Sequence, residues 1–389
     1  MKYTIGKMDS IQRNMTNIQM VDVRGQYLHI KEEVDAGIQE VIDSCAFING
    51  PKVKSFQAKL ESYLGVNHVI PCANGTDALQ IALMALDLKP GDEVIVPAFT
   101  YVATAEVIAL LGLTPVMVDV DPHSFNVTAD IVKSAITDKT KVVVPVHLFG
   151  QVTGDMEEIM QLSELHDFYV IEDNAQAIGA DFKFSDGRLA KSGTIGHIGC
   201  TSFYPSKNLG CYGDGGAIFT NDETLGINIR KIANHGQKKK YHHDVIGCNS
   251  RLDSIQAAVL DVKLKRLDQY CEARDAAARY YDERLKDVEG LNIPVRESRS
   301  SHVFHQYTLR ETTGRRDELK EYLKENGVPS MVYYPVPLYK QEAFKHYVSD
   351  IKLDVTERLC EEVISLPIHT EMTEEIQDVI ISTVKNFYK

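Results

Sequence analysis

A lysine that must lose its proton and attack a carbonyl needs surroundings that a solvated lysine does not. Residues 201–222, TSFYPSKNLGCYGDGGAIFTND, hold one lysine, Lys207. Ser202 stands five residues before it, and a Gly-Asp-Gly-Gly turn, Gly213 to Gly216, follows. The apolar residues Ala217, Ile218 and Phe219 close the stretch as a strand would. The setting is small, turn-rich and weakly charged. A lysine pKa falls readily on burial or beside another cation, and the neutral amine is the nucleophile.

Two further segments carry chemistry. In CANGTDALQIALMAL, Asn74, Gly75 and Thr76 stand between a strand and a helix. A helix N-terminus exposes unpaired N–H groups and the positive end of its dipole, which suits a phosphate. Gly75 lets an anion approach the backbone, and Thr76 adds a hydroxyl donor. In VIEDNAQAIGA, Asp173 ends an apolar run. A carboxylate at the carboxyl end of a buried strand requires a cationic partner to offset its desolvation. Each part alone has a plainer reading: Asn74, Thr76 or Asp173 as a helix N-cap, Lys207 as a solvated side chain. Together they are the parts that pyridoxal 5'-phosphate (PLP) needs. These are a phosphate cradle, a lysine to form the Schiff base and an acid to hold the pyridine nitrogen protonated.

These residues need a scaffold, and the chain alternates as one. HVIPC (68–72), DEVIVPA (92–98), TPVMVDV (114–120), TKVVVPVHL (140–148) and FYVIEDN (168–174) read as short buried strands. Residues 75–88 and 101–112 read as helices between them; Ala78, Ile81, Ala82 and Ala85 mark a buried helical face. Apolar strands with helical crossovers imply a mainly parallel sheet covered on both faces. Ahead of it lie helical spacings over 27–46 and 52–64. Residues 1–18 read as a polar N-terminal extension, 19–250 as a large α/β domain and 251–389 as a smaller α+β domain. The latter opens on a long helix, Ser250 to Val288.

The bulk composition narrows the class. Asp and Glu number 55 against 42 Lys and Arg, a net charge of −13, so a nucleic-acid-tracking surface is not expected. Seven scattered cysteines without a Cys-x-x-Cys pair argue against a disulfide framework or a zinc site. No metal cluster is read from the sequence. The pair His242–His243 falls in a basic loop, QKKKYHH, better suited to a nucleotide diphosphate. No apolar run of about 18 residues suggests a membrane span, no secretory leader is read, and a cytoplasmic location is expected.

The chain resembles the DegT/DnrJ/StrS family of PLP-dependent nucleotide-sugar aminotransferases over about residues 18–388. CANGTDALQIALMAL, VPAFTYVATA, PVHLFGQ, IEDNAQAIGA, SFYPSKNLGCYGDGGAI and GCNSRLDSIQAAVL carry the resemblance, in family order. It implies a type I, aspartate aminotransferase-like fold with a seven-stranded, mainly parallel sheet. It implies that Lys207 carries the cofactor and later moves a proton, and that Asp173 pairs with the pyridine nitrogen. Gln176 is implied to contact the ring oxygen and Tyr101 to stack on the ring. Gly75, Thr76 and Ser202 are implied to hold the phosphate, with Asn249 reaching it from a neighbouring subunit of a homodimer. Arg251 becomes a candidate for the substrate's anion, and His305, Tyr333 and Tyr339 for the sugar. L-Glutamate is the implied amino donor in amino-sugar and surface-polysaccharide biosynthesis. HVFHQYTLR and PSMVYYPVPLYKQEAF resemble the subgroup that aminates C3 of a UDP-linked 3-oxo-N-acetylglucosaminuronate, except that Tyr339 stands where many relatives have His. A dTDP-linked 3-oxo- or 4-oxo-6-deoxyhexose is the alternative substrate. A PLP-dependent sugar dehydratase would carry His in place of Lys207, and packing alone would account for His305 and Tyr333. A non-catalytic regulator of the same fold would have no need of Lys207, Asp173, Thr76 and Ser202 together.

Overall fold

Apolar strands of four or five residues form a seven-stranded sheet in the computed structural model, which describes residues 18–347 and 351–389. In chain order the strands are β1 (His68–Cys72), β2 (Glu93–Pro97), β3 (Thr114–Val118), β4 (Thr140–Val143) and β5 (Tyr169–Asp173). A hairpin of β6 (Asp181–Lys183) and β7 (Leu189–Lys191) leaves the sheet before β8 (Ile198–Ser202) and β9 (Gly216–Thr220) complete it. The order across the sheet is β1-β9-β8-β5-β4-β2-β3. Neighbours from β8 to β3 run parallel; β9 runs antiparallel to both β8 and β1. The four-residue β4 is shorter than the apolar run 140–148, because Pro145 and a 3₁₀ turn at Leu148–Gly150 follow it.

Capping residues start the helices where the sequence places them. Asp22 accepts from the Gly25 amide ahead of α1 (Val23–Ser44), and Pro51 opens α2 (Pro51–Leu64), which Gly65 ends in a left-handed conformation. Asn74 accepts from the Asp77 amide at 2.8 Å and starts α3 (Gly75–Met84). The crossovers continue through α4 (Ala103–Leu110), α5 (Ala129–Ala135), α6 (Met156–His166) and, after β9, α7 (Glu223–Ala233). The buried face of α3, Ala78, Ile81 and Ala82, packs in one core with Ile171, Ile198 and Ile218 of the sheet.

The polar extension read over 1–18 lies outside the described residues, apart from Ile18, which is buried among the C-terminal hydrophobic residues. The expected long helix Ser250 to Val288 is two helices, α8 (Ser254–Leu264) and α9 (Leu267–Leu285). Neither Gly nor Pro marks the break. Arg266 leaves helical geometry at φ −116°, ψ 3°, and its guanidinium bonds the Val262 carbonyl and the Glu33 carboxylate. The halves serve different cores. In α8, Ala257, Leu260 and Leu264 pack with Phe203 and Phe219, while Val259 packs on Ile30 and Val34 of α1. In α9, Ala278, Tyr281 and Leu285 pack on the small sheet. The apolar face of α8 is therefore spent on packing within the chain.

After the short pair β10 (Gln237–Lys239) and β11 (His242–His243), the C-terminal part builds a three-stranded antiparallel sheet. Its strands are β12 (Leu291–Asn292), β13 (Tyr307–Glu311) and β14 (Val363–Leu366). Buried residues of α9, α10 (Arg316–Glu325) and α12 (Glu374–Phe387) cover it, and α11 (Asp354–Glu362) precedes β14.

Candidate active site

The carboxyl ends of β1, β2, β5 and β8 lead to Asn74, Tyr101, Asp173 and Ser202 respectively, at the edge where sheets of this kind bind ligands. Gly75 and Thr76 are the first residues of α3, so their amides are among the unpaired donors of its first turn. Ser202 closes against them. A Cβ built on Gly75 would lie 2.7 Å from the Ser202 Cβ, so glycine is what lets the helix end and the serine share one small cradle. Gly216, the register partner of Ser202, is equally confined: a Cβ there would lie 2.5 Å from the Asn74 carbonyl.

Asp173 is buried at the end of β5. Thr104 Oγ1 donates to its Oδ2 at 2.8 Å, and the Ala175 amide donates to Oδ1 at 3.1 Å. Burial pushes its carboxyl above the ordinary value; the Thr104 and Ala175 bonds and the charge of Lys207 oppose that push and lose. The preceding Glu172 faces the other way. It accepts from the amides of Gly193, Ile195 and Gly196 and pairs with His147 Nε2 at 2.7 Å, both side chains fully buried. The Thr153 amide donates to His147 Nδ1 at 3.2 Å, which assigns the ring proton to Nε2.

Lys207 sits in the loop between β8 and β9. Its amide bonds the Tyr204 carbonyl at 2.8 Å, and the next residue, Asn208, ties the loop to the Val303 carbonyl at 2.8 Å. Burial pulls the ammonium down to about 8, against the opposing charge of Asp173. At pH 7 about a tenth of such an amine is neutral, several-hundredfold more than of a solvated lysine.

Gln176 is buried, with its Oε1 accepting from the Phe149 amide at 2.7 Å and its Nε2 donating to the Tyr334 hydroxyl at 3.2 Å. Tyr334 stands 6.2 Å, ring to ring, from both Tyr101 and Phe99. The Tyr101 ring is 57% exposed, an open aromatic face at the mouth of the site. His305 is buried near Lys207; burial, then the charges of Lys207 and Arg274, hold its imidazole far below the ordinary value and so neutral. Its Nδ1 has no partner among the described residues. Tyr333 is half-buried beside Tyr334, with ring centroids 6.0 Å apart.

Three other sequence candidates are placed elsewhere. The Tyr339 ring is packed in the core of the large sheet and its hydroxyl bonds Glu357. Asn249 is exposed and its backbone bridges Asn234. Arg251 lines a cleft of about 490 Å³ with Lys54, His68, Arg230 and Lys238, and none of Gly75, Ser202 or Lys207 lines it. Sequence reasoning missed Thr104 and Tyr334. Thr104 lies three residues after Tyr101 in FTYVATA, so helical spacing was the available signal; for Tyr334 there was none, since its segment forms no regular element.

The arrangement fits PLP: a glycine-lined cradle with free amides, a buried acid at a strand end, and a depressed lysine amine. Among the described residues no group of three or more His, Cys, Asp or Glu could hold a metal ion, and no helix is long and apolar enough to cross a membrane.

Comparisons with known proteins agree with this geometry. Residues 28–385 match the pattern of the DegT/DnrJ/EryC1/StrS aminotransferase family. The chain is 44% identical to the UDP-2-acetamido-2-deoxy-3-oxo-D-glucuronate aminotransferase of Pseudomonas aeruginosa, over 95% of this chain and 100% of that protein. It is 43% identical to the UDP-N-acetyl-3-dehydro-alpha-D-glucosamine 3-aminotransferase of Acidithiobacillus ferrooxidans, over 95% and 97%. The crystal structure of NtdA from Bacillus subtilis with bound cofactor PMP superposes with a TM-score of 0.86 at 31% identity, over 95% of this chain and 85% of that one. The chain has the fold of a PLP-dependent type I aminotransferase, and it belongs to the DegT/DnrJ/EryC1/StrS aminotransferase family.

Proposed function

We propose that this aminotransferase moves the amino group of L-glutamate to C3 of a UDP-linked 3-oxo-N-acetylhexuronate in the cytoplasm. The observation that carries the sugar class is the full-length likeness, at 43–44% identity, to two enzymes whose names specify 3-oxo UDP-N-acetyl sugars. PLP, when bound, supplies the electron sink for the reaction. The chain's own residues do the rest. Gly75, Thr76 and Ser202 would bind the phosphate, Asp173 would hold the ring nitrogen's proton, and Gln176 and Tyr101 would contact the ring. Lys207 would anchor the cofactor and, when free, would carry a proton as general base at its Nζ. His305 and Tyr333 border the sugar, while Tyr339 acts through the core.

The active unit in this reading is a homodimer. Asn249 is exposed and Lys207 does not line the Arg251 cleft, which supports their serving the neighbour's phosphate and substrate anion. The test is glutamate-dependent amination across a panel of UDP- and dTDP-linked 3-oxo and 4-oxo sugars. Turnover confined to the UDP 3-oxo-N-acetylhexuronate is expected; a dTDP-hexose turned over at least tenfold faster overturns the sugar assignment.

A further inference from the structure

Asp173 is gripped on both of its oxygens, and one of the grips comes from a side chain. Thr104 lies in the first turn of α4, 1% exposed, with its hydroxyl 2.8 Å from Asp173 Oδ2. A threonine in a helix commonly returns its hydroxyl proton to a carbonyl one turn back. Here the proton crosses to β5 instead. The spacing Tyr101 to Thr104 is about one helical turn. One short segment therefore presents an aromatic ring at the mouth of the site and a hydroxyl at its floor.

We propose that Thr104 is a positioning residue: by donating to Oδ2 it favours the ionised Asp173 carboxyl and fixes its rotation, so that Asp173 can hold the proton of the ring nitrogen. The inference rests on the reading of Asp173 given above. A carboxylate that accepts two hydrogen bonds, one on each oxygen, is favoured over the protonated form. The other groups facing Asp173 do not replace this one. Lys207 favours the ionised form through charge alone. Cys200, its register partner on β8, and Tyr334 are held neutral by burial. The Ala175 amide is fixed backbone and serves only Oδ1. Against them stands burial, the largest influence on the group; Thr104 is the first to oppose it.

The experiment uses the holoenzyme and two substitutions. Thr104→Val removes the hydroxyl at nearly constant volume; Thr104→Ser keeps it. The readouts are the pH midpoint of the bound cofactor's visible absorption and the rate of the glutamate half-reaction. With the ring proton less secure the ring carries less positive charge. The nitrogen joining Lys207 to the cofactor then keeps its proton to higher pH. Thr104→Val should raise the midpoint by about one unit, the size expected for one hydrogen bond to a charged group. It should slow the half-reaction about tenfold with the glutamate KM within about twofold, the pattern of a lost transition-state interaction. Thr104→Ser should return both to wild type. A wild-type midpoint and rate in Thr104→Val overturn the inference. So does a Thr104→Ser enzyme that behaves like Thr104→Val, since the methyl would then be what matters. If Thr104→Val does not fold, Thr104→Ala against Thr104→Ser decides in the same way. Asp173→Asn separates the two layers. If it leaves the midpoint unchanged, the reading of Asp173 is at fault and the inference falls with it. If Asp173→Asn shifts the midpoint and Thr104→Val does not, only the inference fails.

Discussion

Gly75 and Ser202 meet across the carboxyl edge of the sheet with no room for a methyl group between them, at 2.7 Å from a Cβ built on the glycine to the serine Cβ. Gly75→Ala should therefore push the start of α3 off β8. Overpacking of this kind costs about 1–3 kcal/mol. The expected outcome is a lower thermal midpoint and a cofactor dissociation constant raised at least tenfold, measured by titrating the apo-enzyme. Adding Ser202→Gly should restore the thermal midpoint but not the cofactor affinity, because the serine hydroxyl is then gone. An unaltered cofactor affinity in Gly75→Ala would remove the cradle from this position.

The amine of Lys207 should titrate early. Burial lowers it to about 8 although the charge of Asp173 favours the ammonium. Cofactor uptake by the apo-enzyme, followed by absorbance, should speed up with pH and level off above about 8; an ordinary lysine would still be gaining reactivity near 10. Asp173→Asn takes away the charge that favours the ammonium, so the plateau should begin at lower pH. Borohydride reduction followed by peptide mapping should place the cofactor on Lys207. An adduct on another lysine, or a plateau near pH 10, contradicts the assignment.

Asp173→Asn should keep the fold and lose roughly 10²–10³ in amination rate, the range seen when one preorganised electrostatic group is removed. An amide is neutral and does not balance a protonated ring nitrogen. Near-wild-type turnover, with the secondary structure intact by circular dichroism, would exclude the role.

Asn249 is tested by complementation. In a mixed dimer of Lys207→Ala and Asn249→Ala chains, one site inherits both defects and the other neither if Asn249 acts across the interface. Activity well above the sum of the separate variants is expected. No rescue, with subunit exchange confirmed and Asn249→Ala impaired alone, would place Asn249 in its own chain's site.

Much of this was legible before any coordinates. The strand 68–72, the helix beginning at Gly75 and the strand ending at Asp173 follow from apolar periodicity and from capping chemistry, both local signals. What escaped depends on distant parts of the chain. The break at Arg266 answers to two separate cores and to Glu33, more than 200 positions away in sequence. Tyr339, expected beside the sugar, packs in the large core, bonded to Glu357. The bond from Thr104 to Asp173 spans two crossovers, and the one between Gln176 and Tyr334 joins segments 158 positions apart. No window of sequence contains either pair.

The antiparallel course of β9 has a consequence for how the lysine reaches its place. Ser202 and Gly216 are partners on one rung of the β8–β9 ladder, so the loop bearing Lys207 departs from and returns to a single point. Its ring-closure entropy is that of a short local loop. The acid on β5 and the cradle on α3 arrive through long crossovers, whose contacts are costly to form early. A folding chain can thus seat the lysine within its own hairpin while the pieces that will surround it are still unjoined, and amides of β8 and β9 should gain exchange protection together, as one cooperative unit.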